Sequence, residues 1–163
     1  NDTVYMEPIS QEYVSRAAYK LLAAFDAFQI DIKDQVVLDI GASTGGFTQV
    51  CLDHGAKKVY ALDVGHLQLD ADLEKDERIV KMEGYNARHI DSEDFKEDID
   101  FICMDVSFIS SRVTVSTLDF LITQSLPFVS IIAYATSSKL YTSEQRNASI
   151  KSSRFIFKDF NSL

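Results

Sequence analysis

The 163-residue sequence contains no tryptophan and only two cysteines, Cys51 and Cys103. Two isolated cysteines make no disulfide framework, so we expect free thiols in a reducing compartment. No apolar run approaches the roughly 20 residues that a membrane-spanning helix needs, and residues 1–4 lack the basic and apolar parts of a secretory signal. We therefore expect one globular, cytoplasmic domain that makes no contact with membranes.

The sequence is also poor in positive charge. It has 25 acidic residues against 16 lysines and arginines, which gives a formal net charge of −9. Residues 1–105 hold 22 acids and 10 bases, whereas residues 106–163 hold 3 acids and 6 bases. Affinity for nucleic acid comes largely from lysine and arginine. An acidic body of this kind would need a local basic patch or a partner domain to hold an RNA.

Residues 36–46 are the most informative segment, and they read VVLDIGASTGG. An aliphatic run containing Asp39 leads into a loop of small residues, which the amphipathic segment 47–52 follows. This strand–loop–helix order is typical of nucleotide-binding α/β domains. Glycines permit a sharp turn and a close approach of the backbone to a ligand. The helix that follows directs its N–H groups and its positive dipole end toward that ligand.

The spacing within this segment favours one cofactor over another. Glycines stand at 41, 45 and 46, which differs from the G-x-G-x-x-G of dinucleotide-binding proteins and fits S-adenosylmethionine better than NAD. Asp63 ends the next predicted strand, where an acid accepts hydrogen bonds from ribose hydroxyls. That acid fits either cofactor and does not separate them. A plain tight turn remains the alternative interpretation of the loop.

Periodicity along the chain predicts an α/β fold. Apolar residues recur at helical spacing from Ser10 to Phe28 and indicate an N-terminal helix. Nearly apolar strands then alternate with helices, which predicts a mostly parallel sheet with helices on both faces. The predicted strands are 35–40, 58–64, 79–83, 101–105 and 128–134, with a short one at 154–157, and the predicted helices are 46–54, 67–75 and 110–123.

Acidic residues fall at the ends of four successive predicted strands. Ligands of parallel sheets gather beyond the carboxyl ends of the strands, so these acids mark a candidate site. They are Asp39, Asp63, Glu83 and Asp105. The three histidines have no metal-ligand spacing with either cysteine, and we expect no metal site. We divide the chain into an N-terminal helix and linker (1–34), a Rossmann-like domain (35–136) and an irregular or incomplete C-terminal part of that domain (137–163).

Further sequence blocks lie on either side of the glycine loop. They are YVSRAAYKL at 13–21, LDIGASTGGFT at 38–48, ALDVG at 61–65, NAR at 86–88 and DVSFIS at 105–110. Together and in this order they closely resemble the hemolysin A family of FtsJ-like ribosomal RNA 2′-O-methyltransferases. The resemblance implies a Rossmann-like, S-adenosylmethionine-dependent methyltransferase fold. It also implies methylation of a ribose 2′-hydroxyl in ribosomal RNA or ribosomal subunits.

The resemblance implies roles for individual residues as well. The implied cofactor-binding set is Asp39, Gly41, Ser43, Thr44, Gly45, Gly46, Asp63 and Asn86. Within it, the glycine loop would cradle the methionine part, Asp63 the ribose, and Asn86 or a neighbour the adenine. Lys20 and Asp105 match the first two members of the family's Lys-Asp-Lys-Glu catalytic set, which activates the 2′-hydroxyl for in-line attack on the sulfonium methyl.

Three features depart from the family's pattern. Ala17 and Ala18 stand where two glycines are usual, and residues 131–136 read IIAYAT where a Lys-Pro-x-Phe-Glu segment is expected. Lys139 and Glu144 are the nearest candidates for the missing lysine and glutamate, but no motif supports them. The family's S4-type RNA-binding domain is also absent from this sequence, and we expect such a domain as a separate, basic partner.

These departures leave two alternatives to a methyltransferase. One is a non-catalytic nucleotide-fold module that binds RNA or protein, which the missing lysine and glutamate favour. The other, less favoured, is an NAD-dependent oxidoreductase. It would need a Tyr-x-x-x-Lys or similar pair after the fourth strand, and the sequence has none there.

A lysine accepts a proton only where burial or a second cation lowers its pKa. We therefore expect Lys20, beside Asp105 alone, to orient or stabilise oxygen.

Overall fold

A computed structural model of the protein describes residues 12–106, 130–135 and 154–159. The strands in these residues are β1 (Val36–Ile40), β2 (Lys58–Asp63), β3 (Ile79–Glu83), β4 (Phe101–Val106), β5 (Ser130–Ala135) and β6 (Arg154–Asp159). The helices are α1 (Ala18–Phe28) and α2 (Gly46–Asp53), and short 3₁₀ turns lie at Leu73–Lys75, Ala87–His89 and Ser92–Asp94. None of these helices has the length and apolar character that crossing a membrane requires.

The strands form a single sheet in the order β3-β2-β1-β4-β5-β6, and every neighbouring pair is parallel. The chain moves outward from β1 to β3 and then returns to the other side of β1 to add β4. This reversal opens a crevice at the carboxyl ends of β1 and β4, where doubly wound sheets bind ligands. The predicted Rossmann-like α/β fold is confirmed.

The two faces of the sheet bury separate apolar cores. On the helix face, α1 and α2 pack over Val37, Val59 and Phe101. Helix α1 contributes Ala18, Leu21, Ala24 and Phe25, whose spacing places them on one side of the helix. The opposite face is built around Leu38, Tyr60, Ile102 and Met104, and the segment 85–99 covers it with Ile90 and Ile99.

Helix α1 begins later than predicted. The apolar periodicity predicts a start at Ser10, yet the helix begins at Ala18, and residues 12–17 form bends and a turn. The backbone N–H of Val14 donates to the Gln49 side chain of α2 at 2.9 Å, and that of Ala17 donates to Ser15 Oγ at 3.1 Å. These amides are engaged outside a helical ladder, which explains the later start.

The predicted helix at 67–75 is also mostly wrong, since only the turn Leu73–Lys75 is helical. Leu67 has a φ of 53°, which a right-handed helix does not contain. The N–H of Gln68 donates to Glu83 and that of Asp70 to the carbonyl of Thr44. The predicted helix at 110–123 lies outside the described residues. The last two strands are present, at 130–135 and 154–159.

Candidate functional site

The loop after β1 turns sharply through two glycines. Gly41 and Gly45 have φ angles of 82° and 97°, which side chains rarely tolerate, and Gly45 is the residue immediately before α2. Ser43, with a φ of 50°, also lies in the left-handed region. Ser43 and Thr44 are exposed at the carboxyl edge of the sheet, so the loop offers two hydroxyls to a ligand there.

Most of the amides in this loop are used within the protein, which differs from the expectation that they face a ligand. The N–H groups of Gly41 and Ala42 both donate to the carbonyl of Leu62, at 2.8 and 3.1 Å. Ser43 N–H donates to Asp63, and Gly45 N–H donates to the carbonyl of Ala42. The amides therefore fix the loop against β2, and its hydroxyls and outer backbone are what remains for a ligand.

Gly45 is required for the turn, since its φ is 97°, and Gly46 is required for packing. A Cβ at Gly45 would lie 2.5 Å from Leu73 Cδ1, and a Cβ at Gly46 would lie 2.8 Å from Ser15 Cβ and 3.2 Å from the Ala18 nitrogen. The close neighbours are thus parts of the protein. Gly45 admits the segment that follows β2, and Gly46 admits the start of α1.

Asp63 joins the glycine loop to the segment after β2. Its Oδ2 accepts the N–H of Ser43 at 2.8 Å, and its Oδ1 accepts the N–H of Gly65 at 2.7 Å. Each carboxylate oxygen has two acceptor positions, so each keeps one for a hydroxyl. The half-exposed Asp63 therefore has the acceptors that a ribose diol needs, and Val64 beside it is 72% exposed.

Glu83, at the end of β3, holds the segment 67–69 in place. Hydrogen bonds from the backbone N–H groups of Leu67, Gln68 and Leu69, with Leu67 contributing most, lower the pKa of this carboxyl against the opposing effect of burial. The arrangement leaves the Leu67 side chain 86% exposed. An apolar side chain this open, on a loop fixed by a carboxylate, is a suitable surface for a flat ring.

Asn86 lies next to the same edge. The N–H of Tyr85 donates to the carbonyl of Asp63 at 3.0 Å, which keeps this segment beside β2. Asn86 is exposed, and its Oδ1 accepts the N–H of Arg88 at 3.0 Å, so the turn that it begins uses one acceptor position of this oxygen and none of the NH₂ donors. Its amide NH₂ is the group suited to hydrogen bond with a ligand.

Lys20 and Asp105 meet, as the sequence blocks predict. Lys20, in the first turn of α1, donates from Nζ to Asp105 Oδ2 at 2.8 Å, and the two side chains are 24% and 21% exposed. Asp105 belongs to β4, so the pair stands at the crevice between β1 and β4. The carboxylate fixes the position of the Lys20 amino group, which has further N–H groups to donate to an oxygen.

Asp39 has a different environment from the other acids. It is fully buried, and its Oδ2 accepts the hydroxyl of Thr48 at 2.7 Å. Its Oδ1 has no nitrogen or oxygen donor among the described residues. Burial raises the pKa of Asp39 to about 7 against the lowering effect of the Thr48 hydrogen bonds, and the charge of Asp105 raises it further. Asp39 lies beneath the loop as a buried acid, which no sequence signal distinguished from the exposed ones.

Cys51 of α2 and Cys103 of β4 are both buried and free, with sulfurs 4.0 Å apart. Burial raises the pKa of the Cys103 thiol, so we expect this thiol to remain unreactive. No group of histidine, cysteine or acidic residues in the described part of the chain could hold a metal ion. Lys139 and Glu144 lie outside the described residues.

The sequence of this chain matches a known protein family. The family model of the FtsJ-like methyltransferases matches residues 13–135. The chain belongs to the FtsJ-like methyltransferase family. It is 53% identical over 111 residues to Hemolysin A of Brachyspira hyodysenteriae, an alignment that covers 67% of this chain and 46% of the relative. The resemblance found in the sequence blocks is confirmed.

This FtsJ-like chain is also similar to a ribosomal RNA methyltransferase and to a solved structure. It is 45% identical over 106 residues to the 16S/23S rRNA (cytidine-2′-O)-methyltransferase TlyA of Mycobacterium tuberculosis, covering 65% of this chain and 40% of that one. A crystal structure of a candidate hemolysin from Lactococcus lactis superposes with a TM-score of 0.64 at 46% identity, covering 67% and 53%. The chain thus spans less than half the length of Hemolysin A and less than half the length of TlyA.

Proposed function

We propose that this FtsJ-like protein transfers a methyl group from S-adenosylmethionine to a ribose 2′-hydroxyl of ribosomal RNA. The observation that supports this most is the Lys20–Asp105 pair at the crevice between β1 and β4. The pair holds the Lys20 amino group at the same edge of the sheet as the loops that we expect to bind the cofactor. RNA as the substrate is supported by what the relatives are named for.

The residues at the edge of the sheet fit S-adenosylmethionine. Asp63 would accept the ribose hydroxyls, and Ser43 and Thr44 would bind the polar methionine part. The exposed apolar surface of Leu67 and the free NH₂ of Asn86 would contact the adenine. When bound, the cofactor supplies the sulfonium-linked methyl group, which is an alkylating agent without further activation.

The protein's own contribution is then alignment and charge. Methyl transfer needs the acceptor oxygen in line with the methyl carbon and the sulfur, and orientation alone lowers such a barrier substantially. The 2′-hydroxyl is a weak acid, so a cation near its oxygen favours loss of its proton to water as the O–CH₃ bond forms and the S–CH₃ bond breaks. Lys20 would donate a hydrogen bond to that oxygen, and Asp105 would hold the ammonium in place.

The acidic composition of the described domain shapes how RNA would be held. With so few lysines and arginines in residues 1–105, this domain gains little affinity from phosphate contacts. A basic S4-type RNA-binding domain acting with it would supply that affinity and leave the acidic domain to select one ribose. The substrate would place the reaction in the cytoplasm, where ribosomes are assembled.

The first test is binding and turnover of the protein. Titration calorimetry should show binding of S-adenosylmethionine and of its demethylated product, and labelled methyl should pass to ribosomal subunits. Lys20→Ala should lower kcat about 100-fold or more with an unchanged cofactor Kd, because the cation acts on the acceptor oxygen. Lys58→Ala is the matched control, since Lys58 is also 24% exposed and paired with a carboxylate, Glu97, at the opposite edge of the sheet.

Binding of NAD alone would contradict the proposed cofactor and favour an oxidoreductase. Binding of S-adenosylmethionine without methyl transfer to either subunit would favour a non-catalytic module. Equal rates for Lys20→Ala and the wild type would remove Lys20 from the mechanism.

A further inference from the structure

The first turn of α1, which contains Lys20, depends on the turn before it, because the N–H groups of residues 18–20 donate to the carbonyls of residues 15–17. The residue before the helix, Ala17, caps no backbone N–H with its side chain, and the first turn contains no acidic residue. A lysine near a helix N-terminus is also opposed by the helix dipole. The first turn of a helix frays unless contacts from outside fix it. The placement of the Lys20 ammonium therefore depends on what anchors residues 12–18.

Gln49 of α2 anchors this segment through both ends of its amide. Gln49 Oε1 accepts the N–H of Val14 at 2.9 Å, and Gln49 Nε2 donates to the carbonyl of Glu12 at 3.2 Å. Between these two residues, Tyr13 is buried in the core under the helices. The Gln49 side chain is half-buried, and it bonds the backbone on both sides of the buried Tyr13 ring.

A second contact lies one turn earlier on α2. The absence of a side chain at Gly46 lets Ser15 and the Ala18 nitrogen approach, and a Cβ there would lie 2.8 Å from Ser15 Cβ. Ser15 in turn accepts the N–H of Ala17, and its carbonyl accepts the N–H of Ala18, which is the first residue of α1. Gln49 and Gly46 together fix the chain through the start of the helix that contains Lys20.

We propose that Gln49 is a positioning residue for methyl transfer, acting through Lys20. Its two hydrogen bonds set where the first turn of α1 begins and so place the ammonium opposite Asp105. This inference rests on the proposed function, because it assigns Lys20 its role in the reaction. The Gln49 side chain bonds Glu12 and Val14, and only its backbone N–H reaches the glycine loop, donating to the carbonyl of Gly45 at 2.8 Å. A change of side chain leaves that backbone bond in place, so its effect should appear in kcat.

The test uses Gln49→Met, which keeps the length and helical preference of the side chain and removes both hydrogen bonds. The variant should lower kcat about 10-fold, since a shift of the order of an ångström in a reacting group has effects of this size or larger. The Kd for S-adenosylmethionine should stay within about twofold. Gln49→Glu keeps the acceptor for Val14 N–H and should give an intermediate kcat.

A double-mutant cycle separates positioning from a general structural effect. If Gln49 acts through Lys20, Gln49→Met should cause no further loss of rate in a Lys20→Ala background. The matched control is Gln35→Ala, which removes a side-chain bond from Gln35 Nε2 to the carbonyl of Asp31 just before β1, at the edge of the sheet away from the site. This variant should leave kcat unchanged.

Hydrogen exchange gives a readout that does not depend on activity. The amides of residues 14–20 should exchange faster in Gln49→Met than in the wild type or in Gln35→Ala. Faster exchange with unchanged kcat, or a rate loss that persists in the Lys20→Ala background, would overturn the positioning role. Loss of cofactor binding in the wild type would contradict the proposed function, and the exchange result would still decide whether Gln49 holds the start of α1.

Discussion

Asp39 and Asp63 lie on neighbouring parallel strands and on the same face of the sheet, but their surroundings are opposite. In the register, Asp39 pairs with Ala61, so Asp63 lies two residues further toward the carboxyl edge. That offset is about 7 Å along a strand. Asp39 is buried, and its Oδ1 has no nitrogen or oxygen donor in the part of the chain that the structure describes, whereas Asp63 is half-exposed with a backbone N–H on each oxygen.

The difference shows how depth along a strand separates two functions of one residue type. A carboxylate with backbone donors and open acceptor positions is suited to bind a ligand. A carboxyl buried as deeply as Asp39 is held closer to its neutral form, because burial penalises the charge more than the Thr48 hydrogen bonds favour it. We therefore assign Asp39 to the support of the proposed site and Asp63 to its surface. The predictions below test this division, from the largest expected effect to the smallest.

Asp39→Asn should have the largest effect, a change in how the free energy of unfolding depends on pH. The folded-state pKa of Asp39 is raised from 3.8 to about 7. The folded state therefore binds this proton more tightly than the unfolded state. The bound proton stabilises the protein at low pH, and this stabilisation is lost as pH rises through 4 to 7. A shift of about three pH units corresponds to about 4 kcal/mol.

The measurement is urea unfolding of wild type and Asp39→Asn at pH 4.5 and pH 8. Asparagine is neutral at both, so the unfolding free energy of the variant relative to wild type should increase toward pH 8. Thr48→Val removes a hydrogen bond that favours the charged form and should strengthen the pH dependence of the wild-type acid. Parallel pH profiles for wild type and Asp39→Asn would show that this carboxyl is ionised at little cost.

Asp63→Asn should weaken binding of S-adenosylmethionine about 30-fold, or about 2 kcal/mol, as expected for lost hydrogen bonds to a charged group. The amide can accept only through one atom, so either Ser43 N–H or Gly65 N–H loses its partner as well. Asp100→Asn is the matched control, because Asp100 also accepts a backbone N–H, that of Val36, at the opposite edge of the sheet. Calorimetric Kd values that are equal for both variants would remove Asp63 from the cofactor site.

The contrast between Asp39 and Asp63 also marks the limit of prediction from the sequence. The strands, the glycine loop and the meeting of Lys20 with Asp105 follow from local patterns and from sequence blocks. The four acids at strand ends looked equivalent, because their depth depends on the register between strands. That register is set by packing across the sheet and has no local signal.

The start of α1 shows a second limit of the same kind. Residues 10–17 have helical periodicity, and nothing local in them marks the boundary at Ala18. The boundary is set by Gln49 and Gly46, more than 25 residues away, through contacts with the backbone of residues 12–18. A side chain that bonds backbone groups leaves no pattern in the partner's sequence. The sequence therefore gives no indication of the positioning role that we propose for Gln49.

Glu83→Gln should have the smallest of these effects, a loss of about threefold in cofactor affinity, because the carboxylate orders segment 67–69 and Asp63 remains intact. An amide would replace one acceptor oxygen by a donor that faces the N–H of Leu67, Gln68 or Leu69. Hydrogen exchange should detect the effect directly, as faster exchange of these three amides. Glu97→Gln is the matched control, because the pKa of Glu97 is also lowered by hydrogen bonds, first from Lys58 and then from Tyr60. This variant should leave the exchange of residues 67–69 unchanged.

The same loop should respond to pH in a defined direction. Because the pKa of Glu83 is lowered in the folded state, its contribution to loop order is present above the ordinary pKa of a glutamate and is lost as pH falls below it. Protection of residues 67–69 in the wild type should therefore decrease at acidic pH toward that of Glu83→Gln, which itself should show no such change. If both proteins lose protection in parallel, then an acid other than Glu83 orders this segment.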